Sequence, residues 1–244
     1  MAFKLAIAQL HSLRNKSASN MEKHIRIATE AANNRADILV FPELSLTGYE
    51  RKLASSQAFS INDQRLQGLV DISRLHNMVV VVGAPIKDDG LYIGSLVLMP
   101  DGTRKVYYKN NLHEGEELYF TSGSEALILK VKEEKIALSI CYDIEVETHF
   151  KSLANEATLY ISSIFYSPKG MVGLKEKIKT YSQTYKLDIG ISNFVGDVWE
   201  NKAGGMSLLY SKHGKCVSEA SSDQETLVIY TKSDDTWSAK VIAI

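Results

Sequence analysis

Cysteine is scarce in this chain, with 2 among 244 residues, too few for the disulfide framework of a small secreted scaffold. Charge of one sign is not in excess. Lys and Arg total 28 against 29 Asp and Glu, a formal net charge of -1. No basic surplus therefore points to nucleic acid, and no basic run points to anionic lipid. Long apolar runs are missing too: stretches such as Met78 to Pro85 fall far short of a bilayer's thickness. The apolar start from Phe3 to Leu10 is broken by Lys4 and Gln9 and lacks a charged leader and a small-residue cleavage site, so it reads as a first strand rather than a signal peptide. The expectation is a soluble cytoplasmic protein with no nucleic-acid or membrane partner. With 45% hydrophobic and 23% charged residues the chain is globular in composition and long enough to bury a sizeable core. No low-complexity segment, repeat or Pro/Gly/Ser linker divides it, so 1–244 is read as a single domain.

Hydrophobic periodicity then organises the chain. Ser19 and Glu22 have capping-box spacing, and Met21, Ile25, Ala28 and Ala32 recur at helical spacing, which predicts a helix over roughly 20 to 34. Asp37 to Phe41 is a short apolar strand ending at Pro42. Leu66, Leu69, Ile72 and Leu75 mark a second helix, and Met78 to Ala84 a buried strand. Hairpins follow at Leu91–Tyr108, turning at Pro100-Asp101-Gly102, and at Ala126–Cys141, turning at Lys132-Glu133-Glu134. Helices near 146–155 and 172–186 lead to strands at Thr158–Phe165 and Asp188–Phe194, and the tail from Met206 onward is β. Two β-rich halves with helices between them predict sheets packed face to face under outer helices, an α/β layered fold.

Common site types are absent. The 6 histidines are scattered without a His-Glu-x-x-His pair, and the cysteines lack Cys-x-x-Cys spacing, so no metal site is expected. There is no Walker loop, no Gly-x-Gly-x-x-Gly after a strand and no Gly-x-Ser-x-Gly elbow. Lys175, Lys177 and Lys179 read as a solvated helix face. Three places remain. Glu43 follows a buried strand and precedes an apolar loop, surroundings that raise a carboxylate's basicity and suit a general base, although alone it also reads as a cap. Lys109 ends a hairpin strand, where an ammonium stabilises an oxyanion or is merely an edge charge. Cys141 ends the apolar strand from Ile136 to Ile140, a nucleophile or an inert buried hydrophobe, the latter being the reading for Cys216. Carboxylate, ammonium and thiol, each at a strand end, are the parts an amide-cleaving cysteine enzyme needs.

In order and spacing these segments resemble the nitrilase superfamily of carbon–nitrogen hydrolases, along essentially the whole chain. The matching stretches are Phe41-Pro42-Glu43 with Thr47-Gly48-Tyr49, then Tyr107-Tyr108-Lys109-Asn110-Asn111-Leu112, then Ile140-Cys141-Tyr142-Asp143. Glu116, Phe120 and Gly123 match a second-glutamate pattern, and Ser192-Asn193 and Ala203-Gly204-Gly205 fit late features. The resemblance implies a four-layer αββα sandwich and a homodimer. It also implies Cys141 as nucleophile, Glu43 as general base, Lys109 as electrostatic stabiliser, Glu116 in support, the Tyr142 backbone N–H as a second oxyanion donor, and no cofactor. The activity implied is hydrolysis of a small carboxamide through a thioester, with an N-carbamoyl-amine hydrolase, a nitrilase or a non-catalytic binding protein as alternatives. Three departures bear on the substrate. Ile144-Glu145-Val146-Glu147 stands where many members have an arginine and a proline, Asn111 where a histidine is frequent, and Thr180–Lys186 where a helix signature is common. Glu145 in the arginine's place predicts a neutral or cationic amide rather than a carboxylate-bearing one. Tyr49, Tyr119, Phe165 and Tyr166 are the expected pocket wall, with Glu145 beside them.

Overall fold

Alternation along the strands decides the architecture. In the computed structural model, which describes residues 2–198 and 200–244, the elements run β1 (Phe3–Gln9), α1 (Ser17–Asn33), β2 (Ile38–Val40), α2 (Ala54–Gln57), α3 (Gln67–His76), β3 (Val79–Lys87), β4 (Leu91–Leu98), β5 (Arg104–Tyr108), β6 (Ile128–Val131), β7 (Glu134–Ile140), α4 (Glu147–Ala154), β8 (Leu159–Ser163), α5 (Pro168–Tyr185), β9 (Asp188–Ser192), β10 (Asp197–Val198), β11 (Asn201–Lys202), β12 (Leu208–Tyr210), β13 (Cys216–Glu219), β14 (Thr226–Ser233) and β15 (Thr236–Ala243). They form one sheet in the order β15-β14-β1-β2-β3-β4-β5 and a second in the order β13-β12-β9-β8-β7-β6. Leu5, Ile7, Ile38, Val40, Val79 and Val81 point into the core shared with the second sheet. Their neighbours Ala6, Ala8, Leu39, Val80 and Val82 point the other way, onto Met21, Ile27 and Ala28 of α1 and Leu69 and Val70 of α3. A strand buried on both faces needs apolar residues at every position, which is why these segments read as continuous runs. The second sheet does the same: Tyr160 turns outward onto Phe150 of α4, ring centroids 4.7 Å apart, and Phe150 stacks against Tyr181 of α5. Helix, sheet, sheet, helix is the αββα sandwich.

Two sequence expectations are corrected. Ser19 and Glu22 do not open α1, which begins at Ser17 with no side-chain cap. The side chain of Asn20 turns inward instead, accepting from the Leu13 N–H and donating to the Leu13 and Leu46 carbonyls, and this tie sets how the chain enters the helix. Helix α5 begins at Pro168, not near 172, because Ser167 caps it by accepting from the Gly170 N–H, and proline suits a first turn whose N–H has no partner. The tail from Met206 is β as expected, and its strands divide between the sheets: β12 and β13 extend the second sheet while β14 crosses to pair antiparallel with β1. Among the described residues no helix is long and apolar enough to cross a membrane.

The parallel strands β1-β2-β3 and β7-β8-β9 carry their crossover helices on the outer faces. At the carboxyl ends of the central strands the two sheets are tied together, with the Ser163 hydroxyl donating to the Phe41 carbonyl at 2.7 Å. Loops leaving that end therefore converge.

Candidate active site

Strand β2 stops because Pro42 has no N–H for the ladder. The chain then folds back through Leu44, whose φ is 52°, with Thr47 N–H donating to the Leu44 carbonyl. Gly83 of β3 makes this turn possible. A Cβ there would lie 2.3 Å from the Pro42 carbonyl oxygen and 2.4 Å from the Leu44 nitrogen, so only glycine fits. Behind the loop, buried His24 hydrogen-bonds the Asn20 carbonyl through Nδ1 and the Ser45 hydroxyl through Nε2. A carbonyl only accepts, so Nδ1 carries the proton; burial lowers the ring's pKa to about 4 and keeps it neutral. The result is Glu43, a carboxylate with 1% of its surface exposed, fixed at the sheet end.

Lys109 follows β5 and is held on both sides of its peptide, its N–H donating to the Ile93 carbonyl and its carbonyl accepting from Gly123 N–H at 2.8 Å. Its ammonium sits between two carboxylates, 2.8 Å from Glu43 Oε1 and 2.9 Å from Glu116 Oε1. Glu116 also accepts from the Tyr49 hydroxyl and the His113 N–H. Cys141 begins a 3-10 turn directly after β7 with φ of 49°, a conformation costly for a side-chain-bearing residue, which lifts the thiol out of the strand's line. Its Sγ lies 3.7 Å from the Phe165 carbonyl, and it is close enough to Glu43 to interact with the ionised carboxylate.

The electrostatics separate these groups. Burial, more than anything else, raises Glu43 to about 7, and nearby Glu116 adds to it against the pull of Lys109. Glu116 is also desolvated, yet Lys109 and its hydrogen-bond donors hold it below the usual carboxylate range. Burial alone would depress the Lys109 ammonium, but the neighbouring carboxylates of Glu43 and Glu116 outweigh it and keep the lysine protonated. Burial and the Glu43 charge push the Cys141 thiol well up, so the resting group is a thiol. One carboxylate of near-neutral basicity faces a neutral thiol, beside a permanent cation and its permanent counter-ion. Chemically, a carboxylate of near-neutral basicity beside a thiol is able to accept the thiol proton when sulfur attacks an electrophile.

Two adjoining clefts open onto Cys141. One, of about 300 Å³, is lined by Tyr49, Arg51, His113, Glu116, Phe165, Ser167 and Asn201. The other, about 350 Å³, is lined by His113, Tyr142, Glu145, Phe165, Tyr166, Ser167 and Gly170. A larger depression of about 450 Å³ beside Lys23 and Glu225 has no nucleophile in its lining. Of the residues expected from the sequence, Glu43, Lys109, Glu116 and Cys141 come together, and Tyr49, Tyr142, Glu145, Phe165 and Tyr166 line a cleft. Tyr119 lines neither, because the turn whose N–H groups at Tyr119 and Phe120 both bond the Glu116 carbonyl directs Phe120 into the core and leaves Tyr119 at its margin. Glu145 is not an unpaired anion: it forms an ion pair with Lys177 and accepts from the Tyr166 hydroxyl at 2.8 Å. Lys177 is thus no solvated-face residue, and Lys175 pairs with Glu219.

Asp143 was part of a recognised motif but had no role assigned from sequence. Fully buried, it accepts from the Ile140 N–H, the Asn111 N–H and side-chain amide, and the Tyr107 hydroxyl at 2.7 Å, pinning the cysteine turn to the strand that delivers Lys109. Asn193 similarly brackets Tyr166, accepting from its N–H and donating to its carbonyl, which sets the Phe165 wall. Gly83, the lone glycine ending the run Val79–Val82, was the available signal for a close backbone approach.

The chain is 26% identical over 237 residues to a glutamine-dependent NAD(+) synthetase of Aquifex aeolicus, covering 93% of this chain and 42% of that protein. It is 26% identical over 243 residues to an (R)-stereoselective amidase of Pseudomonas, covering 97% and 88%. Among solved structures, the amidase of Nesterenkonia sp. AN1 superposes with a TM-score of 0.86 at 18% identity, over 95% of this chain and 91% of that one. The chain spans about two fifths of the length of the curated NAD(+) synthetases that it matches. The sequence profile of the Carbon-nitrogen hydrolase family matches residues 4–239. With the motifs in order, the sandwich fold and a profile match along nearly its whole length, the chain belongs to the carbon–nitrogen hydrolase family, the nitrilase superfamily.

Proposed function

We propose that the protein is a thiol amidase that converts a small carboxamide to its carboxylate and ammonia, with Cys141, Glu43 and Lys109 as its catalytic residues. The observation that carries this reading is the single buried ammonium shared by two carboxylates of unequal basicity beside a cysteine thiol. The amide enters the cleft above Cys141. Sulfur attacks the carbonyl carbon while Glu43 takes the thiol proton. The tetrahedral oxyanion is held by the Lys109 ammonium and the Tyr142 N–H, which stands in the first turn of a helix where amides lack intrahelical partners. Protonated Glu43 gives its proton to the departing nitrogen, leaving a thioester. Water then attacks the thioester with Glu43 again as base, and collapse returns the thiol and the acid. Glu116 stays ionised throughout and fixes Lys109. Amidases among the relatives, including the 2-oxoglutaramate amidase of Bacillus subtilis at 26% identity over 92% of this chain, support an amide substrate, and a nitrilase of Pyrococcus abyssi at 26% identity keeps the nitrile as the second reading.

The test is ammonia release from a panel of carboxamides, N-carbamoyl amines and nitriles, with hydroxylamine present to capture an acyl-enzyme as a hydroxamate. Turnover of amides with hydroxamate formation, both lost in Cys141→Ala, is expected. Turnover confined to nitriles or carbamoyl amines, or surviving in Cys141→Ala, overturns the proposal.

A further inference from the structure

Among the described residues the two main sheets have four outer strands, and three of them are short: β5, β6 and β13 have five, four and four residues. The fourth, β15, has eight, most of them exposed. One side of β15 pairs with β14 in an unbroken register, from Ser233 with Thr236 to Thr226 with Ala243. Its other side ends the sheet. Proteins guard such an edge with proline, a bulge or a row of charges, because its unpaired N–H and C=O groups are a template for another strand. β15 contains no proline. Its one charged side chain, Lys240, is folded back with Nζ 2.8 Å from Asn34 Oδ1.

We propose that β15 is a self-association edge, on which a second copy of this chain lays its own β15 antiparallel about a two-fold axis at Ala239. The backbone sets the parity of the pairing. Asp234 and Asp235, with φ of 47° and 63°, form a two-residue hairpin turn, whose closing pair Ser233 and Thr236 exchanges both ladder bonds. Even-numbered residues of β15 therefore bond towards β14, as the Ile244 N–H does just beyond it by donating to the Glu225 carbonyl. Trp237, Ala239, Val241 and Ala243 present their N–H and C=O groups outward, so an incoming strand must set odd residues against odd. A two-fold at Ala239 does this and places Trp237 opposite Val241 of the second copy. A centre at Lys240 would oppose two ammonium groups, and one at Ser238 would set Val241 against Asp235. Side chains favour the same register. The odd ones face the second sheet: Trp237 meets Phe3 edge-on with centroids 6.1 Å apart, and Ala239 and Val241 pair across from Tyr230 and Val228 of the inter-sheet core. The second sheet ends at short β13 and leaves Val241 55% exposed. Trp237 of the second copy supplies the missing cover, an aromatic against a β-branched residue, and symmetry makes this contact twice. On the opposite face Lys240 meets Ser238, so no like charges are opposed. The two seven-stranded sheets become one continuous sheet.

The experiment has two readouts. Paired strands hold directly opposite hydrogen-bonded residues about 5.5 Å apart at Cα, within the span of a disulfide. Ala239→Cys in a Cys216→Ser background should therefore give a covalent dimer on mild oxidation, and Leu75→Cys, exposed on α3, should not at the same protein concentration. In sedimentation, the wild type should associate. Val241→Lys, shown to fold by its thermal melt, should lose one association step, dimer to monomer or tetramer to dimer, with a dissociation constant raised about tenfold or more because the altered contact occurs twice. Should Val241→Lys fail to fold, the cross-link decides alone. A monomeric wild type overturns the proposal, as does cross-linking that is equal in both cysteine variants. An assembly held by another face alone would be unchanged by Val241→Lys and would leave Ala239→Cys uncrosslinked, and that result overturns it too.

Discussion

Replacing Glu116 by glutamine tests the origin of Glu43's basicity. Glu43 titrates near 7 because it is buried and because Glu116 competes for the same ammonium. Both carboxylates bond Lys109 Nζ, at 2.8 and 2.9 Å. Their charges therefore lie within roughly 6 Å, and at an effective dielectric of about 20 that repulsion is worth about 3 kcal/mol, or about 2 pK units. Glu116→Gln removes the repulsion, keeps an oxygen to accept from Lys109 and Tyr49, and leaves Glu43 with the ammonium to itself. The base must be ionised in the free enzyme, so the acid limb of the kcat/KM profile should fall from about 7 towards about 5 in the variant. The plateau should fall as well, because a less basic carboxylate takes the thiol proton less readily. The assay is ammonia release between pH 4 and 9 in the variant and wild type, with thermal melts to confirm folding. An acid limb that stays near 7 in the folded variant, or moves upward, would refute the electrostatic account.

Other predictions follow from the same geometry. Glu43→Gln should abolish turnover and leave the protein folded. The neutral Glu43 carboxyl contributes stability in full below its ordinary value of 4.5, and that contribution is lost as pH rises through about 7. At pH 8 the glutamine variant, which has no charge to bury, should therefore melt above wild type in calorimetry, and a lower melting temperature would contradict the burial cost. Gly83→Ala puts a Cβ against the Pro42 and Leu44 backbone and should cost about 1–3 kcal/mol in denaturant unfolding while displacing Glu43. Wild-type activity and stability in that variant would remove the close approach from the argument. Asp143→Asn puts an amide donor against the donors from Ile140, Asn111 and Tyr107. It should lower kcat far more than it raises KM, since the thiol loses its alignment with Lys109, and an effect confined to KM would count against a positioning role.

Periodicity made most of the secondary structure legible before any coordinates, because strands and helices answer to residues two to four positions apart. The central strands at Phe3–Leu10, Asp37–Phe41, Met78–Ala84, Thr158–Phe165 and Asp188–Phe194 were readable as strands from their sequence. Motif order also singled out Glu43, Lys109, Glu116 and Cys141, which the fold then brings together. What the sequence did not determine depends on partners far along the chain. Glu43 and Lys109 are 66 positions apart, and Arg51 Nη1 reaches a carbonyl 63 positions away. The capping box expected at Ser19 and Glu22 gave way to the tie of Asn20 to Leu13 and Leu46, and Glu145 looked like an open negative charge until α5 delivered Lys177 to it. The tail strands could have joined either sheet, and only the pairing of β14 with β1 and of β12 with β9 decided it. A residue's burial and charge environment is set by everything within a few ångströms, and tertiary folding chooses those neighbours. Residue types and local rhythm follow from sequence, whereas basicity and charge pairing follow from the assembled structure.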